Sequence, residues 1–203
     1  MKTIKAIIAC GLLIMAAACT QTPQQAESNE VVETILSRRS IRKYKPVVVS
    51  RDTLELIMKC GVYAPNGQNK QSWEVRVVDN PELLAQMSQA MADSHEGMEF
   101  AKSCFRGAPV MVFIARDPSY DFSAYDCGLL AENVMLSAWS LGVGSICLGS
   151  PVRFLTDNDV CKPYVEKLGF SEGYELCLCV GLGYTDEKPE VTPRDMGKVK
   201  FIN

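Results

Sequence analysis

Four stretches of this chain carry residue types that could do chemistry together. The first is Arg38-Arg39-Ser40-Ile41-Arg42, which runs on into Lys43-Tyr44-Lys45-Pro46. Five of the eight residues from Arg38 to Lys45 are cations, in a chain of formal net charge −3, so the run is a local feature and not bulk composition. Taken alone it has three readings. It could be a solvated cluster at the C-terminal dipole of a preceding helix, a patch for anionic lipid, or an anion site. The second stretch is APNGQNKQSW, 64–73. Its proline, glycine and amides expose backbone N–H groups and amide edges, which suit a heterocycle with both donors and acceptors. The third is GVGSICLG, 142–149, whose glycines let a backbone approach a flat ligand closely. The fourth is GYTDEKPEVTPRD, 183–195, which carries the lone Arg194. An anion site, an amide edge and close backbone approach together describe a phosphorylated flat heterocycle.

The elements that must position these stretches follow from periodicity. NEVVETILSRR has apolar residues at 31, 32, 35 and 36, a helical spacing that ends at the cationic run. Ser50 opens a second helix with apolar positions 54, 57, 58 and 62, and Pro65 stops it. WEVRVVD alternates and reads as a strand, with Val75 and Val77 on one face. Asn80 and Pro81 open a helix over NPELLAQMSQAMAD. APVMVFIAR and YELCLCVGLGY are continuous apolar runs and read as buried strands. DFSAYDCGLLAENVMLSAWSLG, 121–142, is a long helix with apolar residues around almost its whole circumference, so it lies inside the protein or in an interface. GSICLGSP reads as a short strand and loop. The spacing predicts a helix over 157–170 interrupted near Pro163, and a polar tail with a late strand-like segment. The order predicts an α+β sandwich around one small sheet.

The N-terminus has its own pattern. Lys2 and Lys5 precede AIIACGLLIMAAAC, an apolar run too short to span a bilayer comfortably. It ends in Ala16-Ala17-Ala18-Cys19, which resembles the lipobox of bacterial lipoproteins. That resemblance implies a signal peptide at 1–18, a lipidated Cys19 anchored in a membrane, and an exported chain facing the periplasm. A polar stretch at 19–30 reads as a flexible tether. Losing Lys2 and Lys5 lowers the formal net charge of −3 by two, to −5. Residues 31–203 then form one compact domain. An acidic chain without an extended basic tract is not a nucleic-acid binder.

Other chemistries are excluded or weakened. GLGYTD and GVGSIC lack the third glycine of a dinucleotide fingerprint, and there is no P-loop. One histidine, His95, and no CxxC pair argue against a metal. Nine cysteines would suggest disulfides in an exported chain, yet beyond Cys10 and Cys19 they lie singly in apolar runs. Buried free thiols are expected, Cys147 among them as a packing residue. Cys177 and Cys179, two apart in a strand, are expected on one face.

Over residues 31–203 the four stretches, in this order, resemble the FMN-dependent nitroreductase family. Arg38-Arg39-Ser40-Ile41-Arg42 resembles its RxSxR/K opening, APNGQNKQSW its SPSSxNxQPW loop, and GY…P…PR its C-terminal signature. The resemblance implies a three-layer α-β-α sandwich with a small, mostly antiparallel sheet, in an interlocked homodimer with FMN at the interface. It implies that Arg38, Ser40 and Arg42 meet the phosphate, ribityl chain and pyrimidine edge, with Arg39 acting through its backbone and Arg194 on the phosphate. Leu148 and Gly149 would offer N–H groups near flavin N5. Pro65, Asn66, Gly67 and Asn69 would reach the flavin from the other subunit. Ser72 stands where many relatives have proline, Leu148 where some have glutamate, and residues 93–106 match poorly. The implied activity is electron transfer from NAD(P)H or another donor, such as a quinol, to nitroaromatic or quinone-like acceptors, ping-pong through N5, with no catalytic side chain required. The alternatives are a lipid-anchored flavin-binding protein without turnover, or another reaction on the same fold, such as reductive dehalogenation.

Overall fold

The computed structural model describes residues 29–202. The leader at 1–18, Cys10, Cys19 and the tether up to residue 28 lie outside the described residues.

Local chemistry starts three of the helices. Helix α1 (Glu30–Ser37) opens on Asn29, whose side chain accepts the Val31 and Val32 N–H groups. Helix α2 (Arg51–Val62) opens on Ser50, which accepts the Thr53 N–H. Helix α3 (Pro81–Asp93) opens on Asn80, which accepts the Leu83 N–H, with Pro81 in the first turn where no N–H is needed. Each such cap contributes about 1 kcal/mol. The short helix α4 (Glu99–Lys102) follows. The long apolar segment forms helix α5 (Ser123–Ser140).

The four segments expected as strands form β1 (Trp73–Val78), β2 (Val110–Arg116), β3 (Gly144–Leu148) and β4 (Glu175–Gly183). They make one sheet of order β1-β2-β4-β3, with every neighbouring pair antiparallel. The chain leaves β2 through α5 to reach β3, then returns to insert β4 between them. That leaves β3 as an edge. One face of the sheet packs Phe113, Ile146 and Cys179 against Met87, Met91 and Phe105. The other packs Val112 and Val180 against Leu54 and Ile57 of α2 and Leu130 and Val134 of α5. The result is the three-layer α-β-α sandwich that the resemblance implied.

Four local expectations are corrected. The loop after β3 is a helix, α6 (Ser150–Thr156), with Pro151 in its first turn. Residues 157–161 are not helical: Asn158 Oδ1 accepts the Cys161 N–H, and α7 (Lys162–Lys167) begins there with Pro163 in its first turn. The proline starts a helix and does not interrupt one. In the tail, Met196–Lys198 is a single 3-10 turn, and no strand forms there among the described residues, since no free edge pairs with it.

The last correction concerns Cys177 and Cys179. Ile114 pairs with Leu178 while Ala115 pairs with Leu176, so Cys177 is the extra residue of a β-bulge. The bulge breaks the alternation. Cys179 faces the α3 side, whereas Cys177 joins the α5 side. There the Cys127 thiol of α5 hydrogen-bonds with Cys177, which lowers Cys177 from the ordinary thiol range and raises Cys127. All seven cysteines among the described residues are free.

Gly144 starts β3 where the chain is crowded. A Cβ there would lie 2.8 Å from Cγ1 of the fully buried Ile41 and 3.2 Å from the Gly183 carbonyl oxygen. Gly144→Ala is expected to destabilise the fold by ~1–3 kcal/mol, the usual cost of overpacking. Urea unfolding of the purified domain checks it. An unchanged midpoint would mean that Ile41 is not pinned there.

Candidate functional site

The cationic run is held along the free edge of β3. Ser40 forms a parallel bridge with Ser145, and the Ile41 N–H donates to the Ser145 carbonyl at 2.9 Å. Ile41 is wholly buried. Further on, Lys45 N–H donates to the Tyr184 carbonyl at 2.8 Å, and Tyr44 bridges Thr185. The run is thus stitched to β3 at one end and to the segment after β4 at the other.

Beside it lies a cleft of about 660 Å³, within the range of about 300–1,000 Å³ that small-molecule sites occupy. Its charged lining is Arg38, Arg39, Arg42 and Arg194 against Glu132 and Glu190, so cations outnumber anions two to one. Ser40 supplies a hydroxyl, and Ile35 and Leu36 an apolar wall. Five residues singled out in the sequence therefore meet here: Arg38, Arg39, Ser40, Arg42 and Arg194. They come from opposite ends of the domain. Lys43 and Lys45 do not line the cleft and are exposed.

The guanidinium groups are not equally free. Arg39 donates to the carbonyls of Leu36 at 2.8 Å and Arg38 at 2.7 Å, so it caps the end of α1. For this one cation the helix-end reading is correct. Arg42 donates to the Ser40 carbonyl at 3.2 Å, and Arg194 to the Thr192 carbonyl at 2.8 Å. Each keeps further N–H donors for a ligand. Arg38 Nε is buried and has no hydrogen-bond partner, although Glu132 Oε1 stands 3.7 Å away. An orphaned buried donor costs about 1–3 kcal/mol. A phosphate monoester in the cleft would satisfy it.

The other predicted residues sit elsewhere on this chain. Leu148 buries its side chain in the α3-side core, and Gly149 immediately precedes α6. Neither lines the cleft, nor does their neighbour Cys147, although it feels the charges of Glu132 and Arg38. Partial desolvation by the surrounding protein, then the Glu132 carboxylate, raises its thiol, while Arg38 lowers it. Cys147 is exposed and not the packing residue expected: it lies on an edge strand, on the face opposite Ile146 and Leu148.

Pro65, Asn66, Gly67 and Asn69 lie at the N-terminal end of α5, away from the cleft. Asp126, almost wholly buried, anchors them: Oδ1 accepts the Gly67 N–H and Oδ2 the Ser72 hydroxyl, each at 2.9 Å. Asn66 Oδ1 accepts the Gln71 N–H at 2.9 Å. Gln68, Asn69 and Gln71 all have positive φ, so the loop is strained and its ties hold it. Tyr120 OH crowds Gly67, where a Cβ would lie 2.1 Å away. Ser72, the departure from the family's proline, thus supplies a donor that proline lacks. Asp126 and Glu132 went unassigned in the sequence. The available signal was that they are the two acids of an otherwise apolar helix.

His95 is structural. Its Nδ1 lies 3.0 Å from the Met91 carbonyl, and its ring meets Phe154 edge-on at 4.7 Å. No group of three or more His, Cys, Asp or Glu among the described residues could hold a metal.

Asp126→Ala is expected to cost about 1–3 kcal/mol of stability for each donor it strands, Gly67 N–H and Ser72 OH. Asp126→Asn, which keeps one acceptor, should cost less. Denaturant unfolding of both variants is the check, and equal losses would contradict the two-oxygen anchor.

Comparison with known proteins places this geometry. The model of the nitroreductase family matches residues 35–184. The chain is 32% identical over 178 residues to an NADPH-flavin oxidoreductase of Vibrio harveyi, covering 82% of this chain and 70% of that one. A nitroreductase of Desulfitobacterium hafniense, solved with bound FMN, superposes with a TM-score of 0.78 at 29% identity, over 87% of this chain and 100% of that one. A nitroreductase of Bacteroides fragilis, also with bound FMN, does so with a TM-score of 0.75 at 27% identity, again over 87% and 100%. With the family model spanning most of the domain, and the cationic cleft formed where its opening motif meets the C-terminal arginine, the chain belongs to the nitroreductase family.

Proposed function

We propose that this chain is an FMN-dependent oxidoreductase that works as a homodimer. The observation that carries the reading is the cleft in which Arg38, Ser40, Arg42 and Arg194 converge, with the Arg38 Nε donor buried and unpaired. The naming of the relatives for flavin chemistry, and the FMN bound in two similar structures, support it. Arg38 and Arg194 would grip the phosphate, where charge-assisted hydrogen bonds are strongest. Ser40 would hold the ribityl chain and Arg42 the pyrimidine edge. Arg39, committed to α1, contributes position and backbone. Leu148 and Gly149 would offer backbone N–H groups near flavin N5.

Bound FMN supplies two-electron transfer between a reduced nicotinamide, or another donor, and a nitroaromatic or quinone-like acceptor. The chain's own share is to bind, orient and exclude water. No side chain need act as acid or base.

The second subunit is argued from surface. Helix α1 buries no residue, and its Val31, Ile35 and Leu36 are exposed. Tyr63, Phe122, Tyr125 and Leu129 are exposed as well, and at the tail Phe201 and Ile202 are each 89% exposed. Apolar surface of that extent asks for cover, and a second copy would bring Pro65, Asn66, Gly67 and Asn69 towards the flavin. The leader adds a further part of the proposal: cleavage before Cys19 and lipidation would anchor the domain outside the cytoplasm. There a nicotinamide donor is scarce, and a membrane quinol or electron carrier becomes the fitting donor.

The purified domain is expected to be yellow, to release FMN and not FAD on heating, and to bleach under reductant. A colourless protein that takes up no added FMN would sink the reading, and one that binds FMN but passes electrons to no acceptor would be a flavin binder only. Sedimentation should give a dimer; a monomer holding full FMN contradicts the two-subunit site. In an FMN titration followed by flavin fluorescence at fixed salt, Arg38→Ala and Arg194→Ala should each weaken binding about ten- to a hundredfold, the worth of a hydrogen bond to a charged group. Lys43→Ala and Lys45→Ala should change it by less than about threefold, as exposed charges do. Equal losses at all of these positions would point to a diffuse basic patch.

A further inference from the structure

The two walls of the cleft lie far apart in the chain, and something must set the distance between them. The first wall, residues 38–42, is fixed to the sheet through buried Ile41. The second, Pro189–Arg194, follows the end of β4 and is exposed over most of its length. Between them, Asp186 N–H donates to the Lys43 carbonyl at 3.0 Å. Glu187 then turns its side chain back: Oε1 accepts the N–H of Arg42 and, at 3.1 Å, that of Lys43. Its backbone is fixed from the other side, because Thr185 Oγ1 donates to the Glu187 carbonyl at 2.7 Å and accepts the Glu187 N–H at 3.2 Å. Among the described residues, Glu187 is the last before Arg194 whose hydrogen bonds reach the first wall.

We propose that Glu187 is a positioning residue for the phosphate grip: by accepting two successive amide N–H groups from the first wall, it holds that wall, with Arg38 on it, and the Arg194 segment at the separation that a phosphate monoester bridges. The proposal rests on the flavin reading for its ligand but not for its geometry. It makes a counter-intuitive prediction. Glu187 is an anion beside a cationic cleft, so by charge alone its removal should tighten phosphate binding. As a positioning residue its removal should loosen it. Glutamine keeps an oxygen that can accept both N–H groups, so Glu187→Gln separates acceptor from charge.

The test uses the purified chain, wild type beside Glu187→Ala, Glu187→Gln, Arg194→Ala and the Glu187→Ala/Arg194→Ala double variant. Two readouts are taken: FMN affinity by flavin fluorescence, and amide hydrogen exchange at Arg42 and Lys43. Glu187→Ala should weaken FMN binding by about tenfold, one charge-assisted hydrogen bond's worth, and speed exchange at both amides. Glu187→Gln should stay within about threefold of wild type and keep the amides protected. In the double variant the two losses should fall short of their product, since both act through one wall. Tighter FMN binding in both Glu187 variants would overturn the proposal in favour of a purely electrostatic role. Losses that multiply fully with Arg194→Ala would overturn it in favour of a general structural one. If Glu187→Ala does not fold, Glu187→Gln decides alone: near wild-type affinity with protected amides supports the role, and tighter binding or fast exchange overturns it. A wild-type chain that takes up no FMN overturns the flavin reading only, and the exchange arm still decides whether Glu187 fixes the wall.

Discussion

The site depends on one constraint: Ile41 must be buried. Its side chain fills a gap beside Gly144, and its N–H donates to the Ser145 carbonyl on the free edge of β3. In extended chain, neighbouring side chains point opposite ways. Burying Ile41 therefore turns Ser40 and Arg42 away from the core. A slip of one residue one way would bury the Arg42 guanidinium, at a cost of several kcal/mol, and the other way would bury Ser40 and expose Ile41. An apolar residue thus sets the register of the cations, and the cleft inherits its donors from that register.

What the cleft and the surface share is unfilled capacity. Arg38 Nε is buried without a hydrogen-bond partner, while α1 leaves an apolar stripe uncovered. The two deficits meet, because Ile35 and Leu36 belong to that stripe and also line the cleft. A phosphate would answer the first and a second copy of the chain the second. Each would help to organise the other, since a ligand seated between two such surfaces is enclosed by both.

Three acids tie the arrangement together, and each reaches far along the chain. Asp126 anchors the amide loop 59 residues before it, through Gly67. Glu187 reaches back 145 residues to Arg42. Glu132 stands by Arg38, where partial exposure keeps the ion pair weak. In each case the carboxylate's value lies in where it puts another group.

Elements with local causes are legible in the residues alone. Asn29, Ser50 and Asn80 cap their helices through residues two or three positions away. The apolar runs at 110–116 and 175–183 are strands because their composition suits a buried sheet. The motif order also identified Arg38, Ser40, Arg42 and Arg194, which do converge. Tertiary structure alone decided the rest. The bulge that sends Cys177 and Cys179 to opposite faces exists only because β4 pairs with β2 one residue out of step. Cys147 shares a face with its buried partner Val180 but is exposed, on a strand that is an edge only because β4 inserts between it and β2. Glu187 and Asp126 read as ordinary acids until the fold sets them against backbone amides. Capping and periodicity act within a few residues of their cause, whereas strand order, register and carboxylate contacts are fixed by packing between segments far apart in the chain.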